Sequence, residues 1–127
     1  MKRPSIKLSQ FQRESDEWKR LLAFIAEENA FLKTRLAEVI RDDGIDVDFL
    51  NAAEQYQNKF MQKDEIMSLL RKDISQLDKL LSRQVFEGTS TRELVRRQKT
   101  LRREIKKLFI VFQQLKFHFN NYLTEHL

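Results

Sequence analysis

Cysteine is missing from this chain, so no disulfide can staple it, and neither a thiolate nucleophile nor a zinc–thiolate site can form. Glycine occurs twice and proline once in 127 residues. So few turn residues argue against a β-rich architecture and favour a few long helices with few connections. Long hydrophobic runs are scarce too. Those present, such as 108–112, fall far short of the roughly 20 residues that a membrane span requires. The chain begins with the basic Met1-Lys2-Arg3, but the apolar run of a secretory signal does not follow, so a cytoplasmic location is expected.

Catalytic chemistry is equally short of parts. The two histidines, His118 and His126, sit eight positions apart on one helical stretch, about 12 Å by helical rise. The residues three before them are Leu115 and Leu123, so the Glu-x-x-His motif of carboxylate-bridged di-iron bundles is absent. The two glycines lie 44 positions apart, which excludes a glycine-rich phosphate loop, and no strained serine elbow is visible. We expect no catalytic residue, no metal and no cofactor, and a protein that acts by contact.

What the chain does hold is charge, leucine and phenylalanine. Charged residues make up 34% and apolar residues 41%, including ten Phe, which separates the chain from disordered sequences. Its length suits one domain with a core large enough to stand without staples. Three stretches repeat apolar residues at alternating spacings of three and four. The first is Leu8, Phe11, Trp18, Leu22, Ile25, Leu32, Leu36 and Val39, with Ser15 and Asn29 on the same line. The second is Phe49, Ala53, Tyr56, Phe60, Met67, Leu70, Ile74, Leu77 and Leu81, with Lys63 interrupting. The third is Leu94, Leu101, Ile105, Leu108, Phe112, Leu115, Phe119 and Tyr122, with Gln98 and His126 also on it.

Punctuation between the stripes places the helix ends. Ser9 with Gln12, and Ser90 with Glu93, have the spacing of capping boxes. Asp46 or Asp48 suits the start of the second helix, and Gly44 and Gly88 suit helix ends. Asp64, another competent cap, raises the prospect of a kink at Gln62-Lys63-Asp64. The expectation is an all-α, elongated, up-down-up antiparallel three-helix bundle with coiled-coil-like packing and helices at about 10–42, 47–86 and 91–125. Residues 1–8 are read as a flexible N-terminus and 9–127 as the single domain. In such a bundle Asn29, Lys63 and Gln114 come near one level and form a polar layer that sets register, with Lys63 reaching towards Glu28. Trp18 is a core anchor whose indole N–H needs a partner.

Two features of the third helix are candidates for function. Arg92, Arg96, Lys99, Arg103 and Lys106 fall on one outward line, flanked by Arg97, Arg102 and Lys107. Residues 92–107 carry +6, and the segments expected beside them, 4–19 and 70–85, carry 0 and +2. One end of the bundle therefore holds about +8, a field that attracts acidic protein surfaces or phosphate backbones. No nucleic-acid motif accompanies it, and no aromatics interleave to stack on bases. The same line continues into Ile110 and Phe117, where a lone bundle would expose polar residues, with Val111 and Phe109 widening the apolar arc. With Phe24 and Phe31 off the first stripe, these two suggest a contact surface, most simply for a homodimer. The function expected is that of a non-catalytic interaction or scaffold module. The alternative is a nucleic-acid-associated protein using the basic half of the line.

Overall fold

The computed structural model describes residues 4–42, 46–87 and 91–127, with side chains for 9–42, 46–83 and 92–127. Three helices fill them: α1 (Pro4–Asp42), α2 (Val47–Glu87) and α3 (Thr91–His126). Each spans roughly 54–62 Å at 1.5 Å per residue. All three pairs of helices pack against one another.

The direction of each helix follows from its cross-links. Between α1 and α2 the sequence separation of bonded partners falls from 63 at Ser15–Asp78 to 31 at Lys33–Asp64, so the two run antiparallel. Between α2 and α3, Phe49 at the start of one meets Tyr122 near the end of the other, and Phe60 meets Phe119. Between α1 and α3 the separation stays at 84–88, as it must for parallel helices. The bundle is up-down-up.

Helix ends differ in places from the sequence expectation. α1 begins at Pro4, not near residue 10, so 4–8 belong to the helix and Ser9 lies inside it instead of capping it. Proline fits a first turn because its missing N–H has no intrahelical acceptor there. Residues 1–3 lie outside the described residues, as do Gly44, Gly88 and the Ser90 half of the second capping box. At α2 the choice falls on Asp46, whose Oδ1 accepts from the Phe49 amide at 2.8 Å, while Asp48 sits in the first turn, where its charge opposes the helix dipole's positive end. α2 runs unbroken through Gln62-Lys63-Asp64. Asp64 is a cross-helix acceptor, not a cap.

The core is the three stripes brought face to face. Phe60, Phe112 and Phe119 are fully buried, and Phe60 and Phe119 meet edge-on with centroids 5.1 Å apart. Trp18 is buried in the core, as an anchor should be. Polar residues on the stripes are buried as well: Ser15, Asn29 and Lys63. On the third stripe Gln98 is half-buried and His126 exposed, and Gln114, expected in the polar layer, stands exposed in the groove between α2 and α3.

Candidate interaction face and the polar bracing beneath it

The first functional question is what holds the helices in register, because register decides which side chains share a surface. Two brackets do so, 14 positions apart on every helix involved. At one level Ser15 donates to Asp78 Oδ1 (2.8 Å) and Lys19 to Asp78 Oδ2 (2.7 Å). This bond to Asp78 holds the Lys19 ammonium above the usual lysine range. At the other level Asn29 Nδ2 donates to Asp64 Oδ1 and to the Phe60 carbonyl, both at 2.9 Å, and Lys33 pairs with the same Asp64. On the opposite side of α1, Glu14 takes Arg102 and Gln98 of α3, while Glu28 takes Lys116. Lys63 therefore does not reach Glu28, whose partner is Lys116. Its nearest acceptor is Gln62 Oε1 at 3.5 Å, and it opens instead towards the α2–α3 groove.

Asn29 is fully buried, and its Oδ1 has no hydrogen-bond partner among the described residues. A buried acceptor without a donor costs about 1–3 kcal/mol. Replacing Asn29 with leucine should therefore raise the melting temperature while loosening the α1–α2 register, the trade that polar core residues make in coiled coils. A thermal melt of the variant with a lower midpoint than the parent would contradict this.

Above the brackets lies the outer surface of α1 and α3. Because those helices are parallel with an offset of 84–88, Phe24 stands level with residues 108–112 and Phe31 with 115–119. Ile110 and Phe117 occupy those levels. All four are exposed: Phe24 49%, Ile110 46%, Phe31 68% and Phe117 61%. Phe109 and Leu21 are partly buried against the core between them. The sequence placed Ile110 and Phe117 on an outward line; their level with Phe24 and Phe31 is a result of the tertiary register.

The basic line meets a mixed fate. Arg96 makes a two-oxygen contact with Glu93 on its own helix, with Nη2 2.7 Å from Oε1, and Arg97 shares that carboxylate. The two guanidiniums hold Glu93 below the usual carboxylate range, chiefly through hydrogen bonds from Arg96 and then Arg97. Arg102 is taken by Glu14. Among the described residues Lys99, Arg103 and Lys106 have no ion-pair partner, and all three are exposed, as is Arg92. The part of the line left free is its C-terminal half, from Lys99 to Lys106. Sequence reasoning missed Glu93 and Glu14 as neutralising groups, although the positions of Glu14 and Arg102, repeated at Glu28 and Lys116, carry the signal.

The remaining inventory is short. Among the described residues no group of three His, Asp or Glu side chains is placed to hold a metal ion, and no helix is long and apolar enough to cross a membrane. Fold and surface together define the class: an all-α three-helix bundle with exposed apolar side chains on adjacent parallel helices. No protein-family model matches the chain, and comparison with curated proteins and with solved structures finds no match.

Proposed function

We propose that this protein is a non-catalytic interaction module that self-associates through the α1–α3 face. The observation that carries the reading is the shared level and exposure of Phe24, Phe31, Ile110 and Phe117. Burying a large apolar side chain is worth about 1.5–3 kcal/mol, so four of them meeting a partner supply enough to offset much of the cost of association. A second copy is the occupant because the ends of the bundle are opposite in charge. The basic end carries about +8, whereas 34–42, 46–55 and 120–127 at the other end carry 0, −3 and −1. Two antiparallel copies bring unlike ends together around the apolar centre; a parallel pair would stack +8 on +8. A cytoplasmic setting belongs to the same proposal, since the core closes without a disulfide and needs no oxidising compartment.

The test is mass by light scattering across a concentration series. The parent should be dimeric at tens of micromolar, and Ile110→Glu with Phe117→Glu should be monomeric with an unchanged helical spectrum. A parent that stays monomeric throughout removes the reading. A second reading, phosphate-backbone binding, rests on Lys99, Arg103 and Lys106 lacking acid partners. It would show as nucleic-acid or heparin retention that collapses with salt and with reversal of those three charges, while dimerisation through apolar groups holds steady.

A further inference from the structure

On the other flank of α3 from α1, α2 and α3 leave an open groove of about 570 Å³. Its walls carry Lys59, Lys63, Gln62, Gln114, Asn121 and His118, with Tyr56 and Tyr122 at the end nearer Glu125. Lys63 is the unusual member. It occupies a core position of α2 and is only 6% exposed, yet no carboxylate lies within ion-pair distance of its ammonium among the described residues. Among the described residues its hydrogen-bond partner is a neutral amide, Gln62, at 3.5 Å. Another cation, Lys59, acts on it, so burial first and then like-charge repulsion push Lys63 below the usual lysine range. Every other buried polar side chain on the stripes has found an acid: Ser15 takes Asp78 and Asn29 takes Asp64.

A desolvated cation without a counter-ion is expensive, and a groove that opens onto it lets solution supply what the protein does not. The chemistry around it selects the ion. Two ammoniums give charge, three side-chain amides give directional donors, and His118 adds a ring nitrogen; Glu125 in this groove and Glu104, which lines the adjoining groove with Lys63, make no ion pair among the described residues. Tyr56 closes one end, its hydroxyl donating to the His118 carbonyl at 3.4 Å and its ring lying 5.7 Å from Lys59 Nζ. We infer that the α2–α3 groove is a binding site for a small oxyanion-bearing ligand, a carboxylate or a phosphate, with Lys63 as the counter-charge at its floor and Lys59 and the amides at its rim. Phe117 packs on His118 at the rim of the groove, with ring centroids 5.8 Å apart, but Lys59 and Lys63 stand on α2, so variants at those two test the site without touching the α1–α3 face.

Inorganic phosphate and succinate, each at low millimolar concentration against sodium chloride of matched ionic strength, are the two probes. At about tenfold its dissociation constant, a probe that binds the native state should raise the melting midpoint by roughly 4 °C. Which probe works tells phosphate from carboxylate. Lys63→Met keeps the stem and removes the charge, and it should abolish the rise. Lys59→Ala, at an exposed position that carries no fold risk, should cut it by half or more. The rise should also fade as pH climbs and Lys63 loses its proton. No rise with either probe, or a rise of the same size in both variants, overturns the assignment.

Discussion

Phe112→Ala should lower the unfolding free energy by about 3–5 kcal/mol, while Phe117→Ala, five residues along the same helix, should stay within roughly 0.5 kcal/mol of the parent. Both changes remove the same ring from the same helix. Phe112 is fully buried in the three-way core, so its loss forfeits transfer free energy and leaves a cavity that rigid neighbours fill only in part. Phe117 has 61% of its surface in solvent already, and its removal takes little from the fold. Denaturant unfolding of the pair at a concentration below the dimer midpoint would check it. Equal losses would mean that the outward placing of Phe117, and with it the α1–α3 contact face, is mistaken.

Asp64→Ala and Asp78→Ala should each cost about 1–3 kcal/mol, and the double variant about the sum. Each carboxylate holds a buried polar group and a lysine of α1 at once. Without Asp78 the fully buried Ser15 hydroxyl loses its acceptor across the interface; without Asp64 the Asn29 amide keeps only the Phe60 carbonyl. The two brackets stand 14 residues apart, about 21 Å along the helices, which is far enough for their effects to add. The exposed parts of the bracket, Lys19 and Lys33, contribute less, so Lys19→Ala should lie well under the loss from Asp78→Ala. A double variant no worse than either single one would show that the brackets act as one unit.

Much of the architecture could be read from residue order because a buried stripe is a one-dimensional signal. Phe11, Leu22, Ile25, Phe60, Ile74, Ile105 and Phe112 recur at helical spacing, and their burial needs no knowledge of the partner helix. Cross-helix pairs carry no such local mark. Asp64 resembles a helix cap when only its neighbours in sequence are considered, and becomes the acceptor for Asn29 and Lys33 once α1 lies antiparallel to α2. Glu28 seems within reach of Lys63 on level alone, but it points to the α3 side, where Lys116 meets it. Gln114 shares a level with Asn29 and Lys63, yet its rotation on α3 sets it in the groove. The period of 14 shared by Glu14/Glu28, Ser15/Asn29, Lys19/Lys33, Asp64/Asp78 and Arg102/Lys116 is the one trace of this bracing in the chain.

Sequence by itself determined three long helices, their up-down-up order and the outward placing of Ile110 and Phe117, because periodicity and short connections are properties of a single strand of residues. Tertiary structure decided the rest. Only the parallel packing of α1 on α3, with its offset of 84–88, sets Phe24 and Phe31 level with Ile110 and Phe117. Only the packing of α2 on α3 leaves Lys63 inside a groove with no ion-pair partner among the described residues. Level and rotation between helices depend on how whole side chains interlock across an interface, and no single helix encodes them alone.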